Sequence, residues 1–214
     1  MHNANLKVAH LLALVGREKK NSGYVATALE AVAYTLAQQN DDGSLCYWGN
    51  ERAESCHIDH YHTGFELRSL HGIWMVTGEA HIHRAFTAYY DFYVRNLFTQ
   101  AGIPKMTPAC TYPVDIHTCA EAILCHSLFA SDMPRSRDLL PGLSAWVVRT
   151  MQLSNGSFRY LIRRKGRLRW RVNIPYIRWG QAWMLRALAE LRLQLGPGGH
   201  ARAAKADAHA EPVP

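Results

Sequence analysis

Residues 117–130 read HTCAEAILCHSLFA and residues 179–191 read WGQAWMLRALAEL. Both stretches are long enough for several helical turns and are apolar on almost every face, the mark of a buried helix. Between them and their like lie stretches with a single apolar stripe at helical spacing. Val25, Leu29, Val32 and Leu36 form one stripe; Ile82, Phe86, Tyr89, Tyr90, Tyr93 and Leu97 a second; Leu139, Leu143, Trp146, Val147 and Met151 a third. Buried and amphipathic helices therefore alternate along the chain. Strand-like alternation is confined to residues 157–172, where a short hairpin is expected around Gly166.

The buried helices open alike, on a polar or aromatic cluster: HNAN at 2–5, DHYH at 59–62, VDIH at 114–117 and YIRW at 176–179, at spacings of 57, 55 and 62 residues. A period of this length holds two helices and two loops, the signature of stacked helical hairpins. In a closed array one helix of each pair lines the centre, and the inner helices run parallel. Their N-termini then share one rim, where free N–H groups and partial positive charge suit anionic or polyhydroxylated ligands. Capping alone explains Asn3, Asp59 and Asp115. It does not explain His2, His62, His117 and Arg178, which points to a shared site. Two loops also match, QQNDDGSL at 38–45 and QLSNGSF at 152–158, and read as a fold-stabilising device.

Composition sets limits. The 214 residues are 48% hydrophobic and 19% charged, ordinary for a globular chain. No run of about 18 apolar residues is present, so no membrane contact is expected. The N-terminus lacks the basic flank and cleavage pattern of a signal peptide. Cys46, Cys56, Cys110, Cys119 and Cys125 are odd in number with no C-x-x-C. These features place the chain in the cytoplasm with mostly reduced thiols. The formal charge of +7 is concentrated in RYLIRRKGRLRWR at 159–171. Such a strip is a solvated hairpin or a surface for an acidic glycan; nucleic acid is the weaker reading, since no nucleic-acid motif accompanies it.

Several segments resemble a bacterial family of (α/α)6-toroid proteins, of the six-hairpin glycosidase-like group associated with polysaccharide and glycan metabolism. The family pattern resembles D-x-x-H-T-G-F, then Y-P-x-D-x-H, then R-W-G-Q-A-W-M. Asp59, His62, Thr63, Gly64 and Phe65 match the first; Tyr112, Pro113, Asp115 and His117 the second; residues 178–184 the third. The likeness spans about residues 2–193. It implies an all-α fold, a partial toroid of about seven helices in three to four hairpins, over residues 1–195, with a disordered tail at 196–214. Since a six-hairpin ring needs about five more helices, the chain is expected to be the C-terminal part of such a protein. Self-association or a missing N-terminal half would then cover its open edges, and the chain by itself is expected to be inactive.

The function the resemblance implies is action on, or binding of, a polysaccharide or glycan, by a protein of lyase, epimerase or hydrolase ancestry. Asp59, His62, Asp115, His117 and Tyr176 are the candidate catalytic groups. His2, Asn3, Asn5, Tyr112, Arg178, Trp179 and Gln181 are assigned to binding a sugar, with Arg178 clamping an acidic group. Histidine and tyrosine outnumber acids here, which favours proton abstraction over hydrolysis by a carboxyl pair, although Glu66 and Glu121 lie two turns deeper. Cys56, His57, Asp59, His60 and His62 are residue types that bind zinc, but their spacing matches no closed motif, so no metal and no cofactor are assigned. A terpenoid cyclase or prenyltransferase-like toroid is the alternative, short of an acid-rich D-D-x-x-D motif. A non-catalytic fragment that needs a partner is the third reading.

Overall fold

The computed structural model describes residues 1–48 and 56–196. Seven α-helices occur among them: α1 His2–Glu18, α2 Ser22–Leu36, α3 His60–Thr77, α4 Ala80–Asn96, α5 Ile116–Phe129, α6 Pro134–Met151 and α7 Ala182–Leu195, the last entered through a π-helical turn at Ile177–Gln181. Three strands, β1 Val114–Asp115, β2 Leu161–Lys165 and β3 Leu168–Val172, form an antiparallel sheet in that order. The expected hairpin is present, turning at Gly166 with φ 58°. Strand β1 was not expected, because two residues carry no alternation to read. The tail expected beyond Gly196 lies at 197–214, outside the described residues.

The chain divides into two compact units, Met1–Asn96 and the residues from Leu97 onward. In the first, α1 packs on both α2 and α3, and α3 on α4. Helix starts follow from capping. Asn21 accepts from the Tyr24 N–H at 3.2 Å and Asp59 from the His62 N–H at 2.9 Å. Helix α3 stops at Gly78, whose φ of 72° suits glycine and whose N–H returns to the Trp74 carbonyl. The aromatic stripe of α4 is buried against this unit's core through Ile82, Phe86, Tyr89, Tyr90 and Tyr93, each worth roughly 1.5–3 kcal/mol of burial. Asn3 lies near Glu66, and a Cβ on Gly72 would stand 2.2 Å from His10 Nε2, so α1 and α3 run parallel in close approach.

In the second unit α5 packs on α6 and α7. Thirteen of the fourteen α5 residues are buried, as its unbroken apolar sequence requires. Helix α7 departs from the expectation of complete burial. Only Met184 and Ala187 are buried, while Leu185, Leu193 and Leu195 are exposed. One strip of α7 contacts α5, and an apolar sequence buries only the faces for which this chain supplies a neighbour.

The two similar loops are built the same way, each within its own unit. Gln39 donates to the Gly43 carbonyl at 2.8 Å, and Gln152 to the Gly156 carbonyl at 3.0 Å. Asn40 N–H bonds Ser44 O, and Leu153 N–H bonds Ser157 O. Asp42 and Asn155 accept from the following Ser44 and Ser157 N–H groups. Gly43 and Gly156 have φ of 88° and 85°. Leu45 and Phe158 are buried beneath. The likeness of the two loops read from sequence is thus repeated in their hydrogen bonds.

The cysteines require one correction. Cys110, Cys119 and Cys125 lie outside any disulfide, but Cys46 and Cys56 form one with Cα atoms 4.9 Å apart. No motif marks this pair. It forms because the chain folds back beside the N-terminus of α3.

Candidate functional site

In the first unit the site is built on the start of α3. Asp59 is extended (φ −127°, ψ 162°) and almost fully buried, and its carboxylate serves two purposes. Oδ1 caps the helix. Oδ2 accepts from His62 Nδ1 at 2.6 Å and from His57 Nε2 at 3.2 Å. Burial by itself would raise the Asp59 pKa, but hydrogen bonds from the His62 side chain and backbone, with the His62 and His57 charges, hold it below the usual carboxylate range. An ionised Asp59 fixes the His62 tautomer with the proton on Nδ1 and leaves Nε2 as a basic lone pair. Tyr47 and Tyr61 flank the ring, with centroids 4.3 and 4.5 Å away. The His62 side chain keeps 22% exposure, so the pair is open to a ligand.

Two turns of charge lie behind it. Glu66 is fully buried, accepts from the Tyr89 hydroxyl at 2.5 Å on Oε2, and has no hydrogen bond to Oε1. Burial, reinforced by the Asp59 charge, pushes its pKa up to about 8. Two neighbouring carboxyl groups thus have proton affinities driven apart, a pattern typical of acid–base sites. The opening of α1 lies beside it, with Asn3 near Glu66. His2 Nδ1 and Asn5 Nδ2 both meet Thr35 Oγ1, at 3.2 and 2.9 Å, tying α1 to α2, and Asn3 bonds the adjacent Ala4 N–H.

In the second unit Asp115 ends β1 and caps α5, accepting from the Thr118 N–H at 2.7 Å. The β1–β2 pairing and the Ile116 N–H to Tyr160 carbonyl bond hold it there. His117 is packed among Trp179 and Trp183, at 5.3 and 5.0 Å between ring centroids. Arg178 lies over the Trp179 ring at 4.8 Å, and exposed Tyr176 meets Tyr160 edge-on. Gln181 donates to the Phe158 carbonyl and accepts from its N–H, at 2.8 and 2.9 Å. Tyr112 lies beneath Arg164.

The hairpin itself is a cationic surface. Its register sets Arg164 opposite Arg169, and Arg171 opposite Ile162 on the same face. Like charges facing across strands are destabilising. Arg159 has Nε and Nη1 buried without hydrogen bonds, and burial with the Arg171 and Arg169 charges lowers its pKa. No acidic residue occurs from 139 to 189 to neutralise them.

Each unit thus assembles its own share of the expected residues. Tyr47 and Trp183 were not assigned to the site from sequence, because only tertiary folding brings them to their histidines; His57 was weighed only as a metal ligand. Glu66 did carry a signal: a carboxyl group within an otherwise buried helix start. Cys56 is removed from any metal-ligand set by its disulfide, and among the described residues no group of three His, Cys, Asp or Glu side chains is arranged to hold a metal ion.

No protein-family model matches the sequence, and no curated protein sequence matches it. The fold is nevertheless shared with solved carbohydrate-active enzymes. Cellobiose 2-epimerase from Bacillus thermoamylovorans aligns with 96% of this chain at 9% identity and TM-score 0.72. The GH76A α-1,6-mannanase from a Salegentibacter species aligns with 94% at 8% identity and TM-score 0.67, and a family 88 glycosyl hydrolase from Bacteroides vulgatus with 89% at 10% identity and TM-score 0.64. At such identities the likeness establishes the fold, an (α/α) toroid arrangement of helical hairpins, and no more. The chain spans 58%, 58% and 61% of the lengths of these three proteins. No helix among the described residues is long and apolar enough to cross a membrane.

Proposed function

We propose that the chain belongs to a carbohydrate-active (α/α)6-toroid protein that binds a glycan and abstracts a proton from a sugar carbon, as in a lyase or epimerase. The observation that carries this is the Asp59–His62 pair: a carboxylate held ionised by 2.6 Å contact with Nδ1, which leaves Nε2 as the base. In this reading Asp59 orients the imidazole and stabilises its protonated form. The fold supports it, since similar structures include an epimerase and a mannanase, the latter also solved in inactive form with α-1,6-mannotetrose. Beside Asp59 the second carboxyl group is Glu66, and full burial behind Tyr89 makes it a poor proton donor to a glycosidic oxygen.

In the second unit, exposed Trp179 and Tyr176 are read as rings for pyranose faces. Arg178 and the Arg159–Arg171 strip favour a uronate or otherwise acidic glycan, which would relieve the facing Arg164 and Arg169 charges. Exposed leucines on α7 and the chain's 58% share of its structural neighbours support a reading in which turnover needs helices beyond these, from a longer protein or another copy.

The test is hydrogen exchange in D2O with cellobiose, α-1,6-manno-oligosaccharides and oligouronates, on protein that carries the further helices as a longer chain or a second copy. Deuterium should enter a sugar carbon, most readily in an acidic substrate, and His62→Ala should abolish it. Acidic ligands should bind more weakly as salt rises, because the arginines are exposed. Bond cleavage without exchange would replace this reading with hydrolysis; no binding of any glycan would overturn it.

A further inference from the structure

Two side chains that touch the Asp59–His62 pair sit directly beside the two cysteines of the disulfide. Tyr47 follows Cys46, and His57 follows Cys56. The Tyr47 N–H donates to the His57 carbonyl at 2.9 Å, so the two residues are also joined through their backbones. From this joint the Tyr47 ring reaches His62, with centroids 4.3 Å apart, and His57 Nε2 reaches Asp59 Oδ2 at 3.2 Å. Neither contact is local to α3. The cap and the His62 side-chain bond form within one turn of that helix, whereas Tyr47 and His57 are brought there by the chain before it.

We propose that Tyr47 and His57 are positioning residues for the Asp59–His62 pair, held in place by the Cys46–Cys56 bond, so that reduction of this bond switches off the ordering of the candidate base. The role assigned to the pair rests on the function proposed above; the positioning does not. The redox step is thiol–disulfide exchange with a dithiol reductant. The reductant's two thiols become its disulfide, and the Cys46–Cys56 bond takes up two electrons and two protons to give two thiols. In a reducing compartment the bond then acts as a switch, and in an oxidising one as a staple. His57 supplies Asp59 with a second charge-assisted hydrogen bond. Tyr47 covers one face of the imidazole and limits its rotation about χ2. The other titratable groups around the pair are Tyr61 and Glu66 from α3, Tyr89 from α4, and the amino terminus on the α1 side, and none of them is attached to the disulfide.

The experiment is NMR of the full-length labelled protein, oxidised and then treated with dithiothreitol, following the His62 ring signals and the Asp59 titration. Thiol counting in denaturant should rise from three to five on reduction, since Cys110, Cys119 and Cys125 lie outside the disulfide. With reduction the His62 ring should lose the ring-current shift due to Tyr47, and Asp59 should titrate at higher pH, while helix content by circular dichroism is unchanged. Cys46→Ser with Cys56→Ser should look reduced with or without the reductant. In oxidised protein, Tyr47→Leu should remove the ring-current shift alone. His57→Ala should move the Asp59 titration, and His57→Gln, which keeps a donor, should restore part of it. Full reduction with His62 and Asp59 signals unmoved would overturn the proposal, as would five reactive thiols in the oxidised protein or unfolding of α3 on reduction. Because these signals need no substrate, a failure to exchange sugar protons with intact redox-dependent signals would sink the reaction alone.

Discussion

Glu66→Gln should raise the stability of the protein at alkaline pH and leave it level or slightly lowered at acid pH. Glu66 is 1% exposed on the second turn of α3, with Tyr89 donating to Oε2 and nothing hydrogen-bonded to Oε1. Burial is the main cause that lifts its pKa from 4.5 to about 8, with the Asp59 charge adding to it. The Tyr89 hydroxyl, the amino terminus and the Asn3 N–H pull the other way. The folded protein therefore keeps a proton that the unfolded chain gives up between pH 4.5 and about 8. The sign follows directly. A raised folded pKa contributes stability that is complete below the unfolded pKa and is lost as pH climbs through the folded value. At ~1.4 kcal/mol per pH unit, the loss across the window is ~5 kcal/mol. That is comparable with the whole net stability of many domains. Gln has nearly the same shape and never ionises, so it avoids the loss. Below pH 4.5 it replaces a neutral acid with an amide at a cost of ~1 kcal/mol, from altered hydrogen bonding to Tyr89. Urea unfolding followed by circular dichroism from pH 4 to 9 reads both limbs, and the two curves should cross. Parallel curves with a constant offset would refute the reasoning, because they would show that Glu66 binds protons equally in both states.

Three further outcomes follow from other contacts. Asp59→Asn keeps a good cap but removes the charge, so it should abolish the stability loss that the parent shows as pH falls through the depressed Asp59 pKa, while Asp59→Ala should cost ~1 kcal/mol more at neutral pH by losing the cap; pH-dependent unfolding of both variants checks this. Gly43→Ala should destabilise by several kcal/mol more than Gly156→Ala: both have positive φ, but a Cβ at Gly43 would stand 2.4 Å from the Ala88 carbonyl oxygen, whereas one at Gly156 meets nothing within 4 Å, leaving only backbone strain of ~1–2 kcal/mol. Light scattering should show concentration-dependent self-association of the purified chain, reduced by Leu11→Gln with Leu185→Gln, since these side chains are 61% and 71% exposed; a monodisperse monomer at high concentration would count against it.

The parts of this fold that sequence made legible are those written in local chemistry. Helical stripes on α4 and α6 could be read because burial repeats every three to four residues. The matched loops could be read because Gln39 and Gln152 bond four residues ahead, as do the backbones beside them. Helix α7 misled because apolar residues state a capacity for burial, and realisation depends on neighbours: Leu185 and Leu195 are as apolar as Leu124, which is buried on α5, a helix packed by both α6 and α7. Strand β1 and the Cys46–Cys56 pair were hidden for the converse reason. Each is created by a partner remote in sequence, and neither has a pattern of its own.

The candidate site shows the same division at a finer scale, in two histidines that look interchangeable. Both follow a capping Asp at the head of a buried helix, His62 three residues on and His117 two. A helix turns about 100° per residue, so a side chain three residues past the cap returns to within roughly 60° of it, while one two residues past lies on the far side. His62 can therefore close Nδ1 onto Asp59, and does so at 2.6 Å. At α5 it is the Thr118 N–H that Asp115 caps, and the His117 ring packs against Trp179 and Trp183. One residue of spacing thus separates a ring held by a carboxylate from a ring set in an aromatic cluster, although the shared repeat phase places both at helix starts. His62→Ala and His117→Ala should accordingly differ in kind: the first removing proton exchange with little change in sugar binding, the second weakening sugar binding through the aromatic surface of the second unit.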